Sequence, residues 1–236
     1  FDLYNTTVEG TCPSDMDEGS GADLFVWGGN RNYTLGLSHG NDSALPERVK
    51  LKCNERRTPL IAGARFNRPH VRDISMSRWH TVLATNEPRK NVYVCGIGSQ
   101  ARLGRSAQSL PTFEPLRDFS DTANIVVAGS DHTIIVTETG AVYTFGSNRM
   151  AQLGYAIEEG LGVVSSSSGT KRSGATSHPN QHSLQGPVSD VSGVELDLQV
   201  TPRRVQGPLK REVIIGAAAS RLHSVAYTAT ALYTWG

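Results

Sequence analysis

Apolar and polar residues alternate along short stretches of this chain, and the same stretch returns several times. Leu24-Phe25-Val26-Trp27-Gly28, Val92-Tyr93-Val94-Cys95-Gly96 and Val142-Tyr143-Thr144-Phe145-Gly146 each run a few branched and aromatic side chains into a glycine. Eight residues after each of these glycines comes the glycine of a Leu-Gly pair, at Leu35-Gly36, Leu103-Gly104 and Leu153-Gly154. A fourth copy, Leu232-Tyr233-Thr234-Trp235-Gly236, stands at the end of the chain. Alternation of this length predicts strands, and its repetition sets the architecture before any single residue is weighed.

The rest of each repeat follows the same plan. A proline-led extended segment comes after the Leu-Gly turn: Leu45-Pro46-Glu47-Arg48-Val49, Leu110-Pro111-Thr112-Phe113, and Thr201-Pro202-Arg203-Arg204-Val205. Proline suits an outer strand, where no ladder bond is lost. Two further strands are predicted in each unit. They are Val71–Met76 leading into His80–Ala84, Ile125–Ala128 into His132–Val136, and Val213–Ala219 into His223–Tyr227. Glu138-Thr139-Gly140 and 86–90 read as the turns to the next aromatic strand. Four short strands per unit and no amphipathic helix describe a propeller blade.

The glycine phrases are spaced 68, 50 and 90 residues apart, so the middle value is the basic unit and the others carry insertions. Residues 156–199, with Ser165–Gly169 and Lys171–Gly174, are too poor in apolar residues to offset the backbone entropy of ordering, and read as a disordered insertion and a candidate for phosphorylation. A smaller insertion near 54–68 is basic. Residues 1–22, polar and acidic with Asp2, Glu9, Asp15, Asp17 and Glu18, read as a disordered linker before propeller repeats spanning 23–236. The fold class is all-β, a partial propeller of about three four-stranded blades and the start of another, because rings need about four to eight.

Composition changes this picture little. With 236 residues, 38% of them hydrophobic, a substantial core is available. A formal net charge of +1 gives no global case for nucleic acid, and no apolar run is long enough to span a bilayer. Cys12, Cys53 and Cys95 are odd in number and lack paired metal-ligand spacing, which predicts free thiols in a reducing compartment, the cytoplasm or the nucleus. The acceptor sequences at Asn5, Asn32 and Asn41 read as turn chemistry.

These phrases resemble the regulator of chromosome condensation repeat family. Its signature joins an aromatic strand ending in glycine to a turn ending Gln-Leu-Gly, and to a Ser/Gly-x-x-His-Thr/Ser strand start. The glutamine is kept at Gln152 and replaced by Thr34 and Arg102, and the glycine before it is replaced by Tyr33, Ala101 and Ala151, which predicts reshaped turns. The second element is Ser77-Arg78-Trp79-His80-Thr81, Ser130-Asp131-His132-Thr133 and Ser220-Arg221-Leu222-His223-Ser224. The resemblance implies a seven-bladed ring. Residues 131–146 and 214–236 are also similar to the inhibitor of Bruton tyrosine kinase subgroup. There the propeller sits between ankyrin repeats and BTB domains in substrate adaptors of cullin-type ubiquitin ligases.

Candidate chemistry is sparse. Gly96-Ile97-Gly98-Ser99-Gln100-Ala101 matches a dinucleotide fingerprint, but that motif needs a following helix and Gly104 and Pro111 interrupt one. His80, His132 and His223 recur once per repeat on separate blades, so they read as buried imidazoles bonding backbone within their own blade, with no metal. Arg48, Lys50, Lys52, Arg56, Arg57, Arg65, Arg68, Arg72 and Arg78 meet only Glu55 and Asp73, and read as a solvated insertion or a dock for an acidic protein surface. The expectation is a non-catalytic propeller without cofactor that binds proteins through its loops. Nucleotide exchange on a small GTPase and chromatin binding are the alternatives.

Overall fold

The computed structural model describes residues 24–49, 51, 70–157 and 197–236. The acidic stretch 1–22, the basic insertion 54–68 and residues 158–196 of the larger insertion lie outside the described residues. Thirteen described strands form four antiparallel sheets. In the first, β1 (Leu24–Gly28) pairs with β2 (Ser43–Val49). Two complete blades follow: β3 (Val71–Met76), β4 (His80–Thr85), β5 (Val92–Ile97) and β6 (Ser109–Pro115), then β7 (Ala123–Ala128), β8 (His132–Thr137), β9 (Val142–Ser147) and β10 (Leu198–Arg204). The last sheet holds β11 (Gly216–Ala219), β12 (Ser224–Tyr227) and β13 (Leu232–Trp235).

The strand that opens each sequence repeat is therefore the third strand of a blade, and the proline-led segment is its edge. Two boundaries differ from expectation. The larger insertion stops short of 199, because Leu198 and Gln199 pair with Ser147 and Gly146 on β9. The inner strand expected over 213–219 starts only at Gly216, since Gly207–Arg211 closes into a short 3-10 helix that buries Leu209 and leaves Val213 and Ile215 exposed.

Successive sheets meet along their inner strands, β3 and β4 against β7, then β7 and β8 against β11. Both faces of the central strands are consequently covered. On β4, Val82 and Ala84 face the following blade with Val92, Val94, Ala123, Val126 and Phe145, while Leu83 faces the preceding one with Tyr93, Cys95, Val26 and Phe113. On β8 the division repeats: Ile135 joins the first group, while Ile134 and Val136 join Ile214 and Ala226 of the last sheet. A period of two with both sides apolar explains why these strands read as almost unbroken hydrophobic runs. The outermost sheets leave such side chains open, Phe25 and Trp27 at one end and Tyr227 and Leu232 at the other.

The strand-end glycines and the histidine phrases turn out to be two halves of one contact. Gly96 lies opposite His80 and Gly146 opposite His132 in the sheet register. A Cβ on Gly96 would sit 2.4 Å from the Trp79 carbonyl oxygen, and one on Gly146 2.5 Å from that of Asp131. The Leu-Gly glycines serve the next interface: Gly104 lies under Leu116 and Phe145, Gly154 under the Trp235 indole, and Gly36 under the Phe113 ring with Cys95 beside it.

The residues that replace the family glycine before each Leu-Gly pair keep a left-handed backbone, and the turn at Ala101 alone adds a second left-handed residue, Gln100. Tyr33, Ala101 and Ala151 hold φ of 57°, 55° and 58°, the left-handed region. Asn30 and Asn148 brace two of these turns by accepting the Leu35 and Leu153 backbone N–H at 3.0 Å. An L-residue in that region costs about 1–2 kcal/mol, part of which a glycine returns as unfolded-state entropy. Ala151, which is exposed, is the clean test. Ala151→Gly is expected to stabilise the fold by about 0.5–1 kcal/mol, read as a rise of roughly 1–4 °C in thermal midpoint; a fall would show that the turn tolerates alanine without strain.

Candidate interaction face

The repeated histidines do not stay within their own blades. His80 Nε2 lies 2.7 Å from Thr133 Oγ1 on the following blade, and that hydroxyl donates to the Arg102 carbonyl at 2.9 Å. His132 Nε2 lies 2.9 Å from Ser224 Oγ, which donates to the Gln152 carbonyl at 2.7 Å. Each hydroxyl has one proton, already given to a carbonyl, so it accepts from the imidazole. Both rings therefore carry their proton on Nε2. Burial holds them neutral, lowering His80 to about 3 and His132 to about 4. Thr81 supplies the matching bond to the first sheet, donating to the Thr34 carbonyl at 2.7 Å.

Two points correct the sequence reading. The bonds run between blades, because the inner ends of adjacent sheets converge there. His223, which borders no following blade in this chain, is exposed rather than buried. The phrase also starts one residue earlier in the second copy. Gly129 stands where Ser77 bonds its own histidine at 3.0 Å, so His132 Nδ1 has no partner among the described residues. All three imidazoles are thus accounted for by folding or by exposure, and among the described residues no cluster of His, Cys, Asp and Glu gathers to hold a metal. The dinucleotide-like segment closes as a 3-10 turn at Ser99–Ala101 with Gln100 at φ 64°, and β6 follows. Cys95 is a buried free thiol whose burial raises its pKa; Cys12 and Cys53 lie outside the described residues. Of the basic cluster, Arg72 pairs with Glu138 of the next blade, Arg48 lies on β2, and Arg78 reaches a cavity.

That cavity, of about 730 Å³, opens at the end of the blades where the histidine turns and the Leu-Gly turns meet. Its lining comes from equivalent turns of successive blades: the Ser-Arg pair of the histidine turn recurs at Ser77-Arg78 and Ser220-Arg221, while most of the other positions differ. The β3–β4 turn supplies Arg78 and Trp79, the turn after β5 supplies Arg102, and the β7–β8 turn supplies Asp131. Arg149 and Met150 come from the turn after β9, and Arg221 and Leu222 from the β11–β12 turn. Arg102 takes the place that Gln152 holds in the next blade. It is almost wholly buried, with Nη2 2.6 Å from Asp131 Oδ1 and Nη1 3.2 Å from Ser99 Oγ. Its guanidinium carbon lies 5.6 Å from the Trp79 ring centroid, and that of Arg78 lies 4.9 Å from the same ring. Desolvation lowers the Arg102 pKa, and Asp131 opposes the shift. Sequence reasoning assigned no site residues here. Its visible signals were Arg78 in the basic run and the departure of Arg102 from the family glutamine.

A propeller of stacked four-stranded blades, with variable loops around a polar cavity, is the class of molecule that this geometry defines. Residues 125–152 match the model of the Regulator of chromosome condensation (RCC1) repeat, and the chain belongs to that repeat family. It is 32% identical over 216 residues to BTB/POZ domain-containing protein 1 of Schizosaccharomyces pombe, covering 92% of this chain and 14% of that protein. To the inhibitor of Bruton tyrosine kinase of Homo sapiens it is 29% identical over 219 residues, covering 91% of this chain and 12% of that protein. The chain thus spans a small part of the length of these relatives. In fold it is similar to Prp20p of Saccharomyces cerevisiae, whose structure was solved with its binding properties to Gsp1p and histones, with a TM-score of 0.58 at 17% identity, over 86% of this chain and 39% of that one.

Proposed function

We propose that this chain is a non-catalytic protein-binding propeller that recruits a partner, through its blade loops, to a substrate adaptor of a cullin-type ubiquitin ligase. One observation carries the reading. The repeated glycines, histidines and hydroxyl partners are used up in contacts that hold the blades together, whereas most residues around the cavity, the pairs Ser77-Arg78 and Ser220-Arg221 excepted, differ from blade to blade. Fold and recognition are divided between two sets of positions, as in a scaffold whose loops vary by partner. Likeness to a protein named for its BTB/POZ domain and to the inhibitor of Bruton tyrosine kinase supports the adaptor context. Among the described residues, no helix is long and apolar enough to cross a membrane. The working compartment under this reading is the cytoplasm or the nucleus.

The test uses the full-length protein and a version lacking residues 24–236. Both are expected to co-precipitate a cullin, and only the first to hold and ubiquitylate its partner. Equal partner recovery and ubiquitylation without the propeller would remove the reading. A labelled-GDP release assay with small GTPases separates it from nucleotide exchange, since a scaffold leaves the release rate unchanged.

A further inference from the structure

The cavity's charge is lopsided. Four guanidinium groups, from Arg78, Arg102, Arg149 and Arg221, face one carboxylate, that of Asp131. Asp131 is committed to Arg102, and no carboxylate among the described residues pairs with the other three, which are exposed. Arg102 adds a second, independent observation. Its Nε lies buried without a hydrogen-bond partner among the described residues, although the group lines the cavity. A buried charged donor left unmade is costly, and an incoming acceptor relieves it. Beside these charges stand apolar surfaces: the Trp79 ring between two guanidinium groups, Met150 at 52% exposure and Leu222 at 37%.

The geometry points to a docking site for an acidic peptide segment of a partner protein, whose Asp or Glu carboxylates pair with the arginine rim while an apolar side chain packs on Trp79, Met150 and Leu222. Guanidinium forks match carboxylates in two-bonded geometry, and arginine with tryptophan at the centre of a patch is the usual composition of an interface anchor. The site is an open bowl lined by turns of three sheets and not a track. Asp131 stands in its wall and apolar side chains on its rim. Each of these features disfavours a continuous phosphate backbone, which needs an uninterrupted line of cations. This assignment rests on the protein-binding reading above and names the chemistry of the partner.

The test measures fluorescence anisotropy of short labelled peptides on the full-length protein. One pool alternates Asp and Glu with Leu, Met and Phe; a matched pool carries Asn and Gln in place of the acids; oligothymidylate is the third probe. The acidic pool is expected to bind, and to weaken as salt rises. Binding should fall at least about tenfold in Arg78→Glu/Arg149→Glu/Arg221→Glu, whose side chains are exposed and outside the core. Arg102→Gln, which restores the residue found in the neighbouring blade, should weaken it by a similar factor, with the thermal midpoint read in parallel because the pair with Asp131 is lost as well. Equal binding of the acidic and amide pools, undiminished binding by the triple variant, or equal or tighter binding of oligothymidylate would each overturn the assignment. If the acidic pool fails while the propeller still recovers its partner in the co-precipitation, this inference falls and the protein-binding reading stands. If recovery is independent of the propeller, the reading itself falls.

Discussion

Gly146→Ala is expected to destabilise the fold by about 3–5 kcal/mol, while Gly28→Ala, at the same station of another repeat, costs about 1–3. Both glycines hold a strongly positive φ, 115° and 106°, so both substitutions carry backbone strain. They differ in what lies ahead of the missing Cβ. At Gly28 nothing stands within 4 Å, whereas at Gly146 the Asp131 carbonyl oxygen is 2.5 Å away and the His132 Cα 2.6 Å away. Those neighbours are backbone, so relief requires parting β8 from β9 where His132 reaches the next blade. Chemical denaturation of the two variants, with midpoint and slope compared to the parent, measures the difference. Equal losses at the two positions would mean that the close approach at Gly146 is absorbed elsewhere, and that conformation alone demands the glycine.

Thr133→Val should cost about 2–4 kcal/mol with almost no change of volume. The substitution deletes one oxygen atom with two roles, acceptor for His80 Nε2–H and donor to the Arg102 carbonyl. All three groups are buried, so an imidazole donor and a carbonyl acceptor lose their partners together, each at about 1–3 kcal/mol with partial relaxation. Thr81→Val is the internal control. Thr81 Oγ1 donates to the Thr34 carbonyl, which also receives the Cys95 thiol at 3.5 Å, so the acceptor keeps a weak partner. Its loss should be smaller, about 1–2 kcal/mol. A double-mutant cycle with His80→Leu is expected to give a coupling of at least about 1 kcal/mol between His80 and Thr133, because the second removal no longer orphans the first. Additive losses would deny the bond between blades.

The two experiments probe one device from opposite sides. Glycine lets the histidine backbone cross close to the third strand, and the ring thus positioned ties its blade to the next. Neither residue is intelligible alone, which is why the sequence pairs them in every complete copy. The device also explains where free chemistry is to be found. His80 and His132 are neutral, buried and bonded between blades, whereas the turns beside them carry the exposed Arg78, Arg149 and Arg221. Arg102 in one blade and Gln152 in the next are buried at the same station, and under the proposal above Arg102 adds recognition to its place in the fold.

Strand positions, edge strands and the blade plan were legible in the chain itself. Side chains two apart share a face, prolines avoid central ladders, and glycines recur at a fixed offset; all are local rules that need no partner. Recurrence also marked the histidines as members of the fold. Three matters were decided only by assembly of the sheets. The phase of the blades depended on which strands close on one another, a choice that β1 and β2 could not reveal by their own composition. The direction of the histidine bonds depended on a hydroxyl from the following blade, 53 residues away for His80 and 92 for His132. The cavity was hidden for the same reason: Trp79, Arg102, Arg149 and Arg221 occupy separate turns of the repeat, and they meet only because the blades fan their turns toward one place. Local periodicity specifies the strands, whereas convergence in space, which no window of sequence contains, specifies the site.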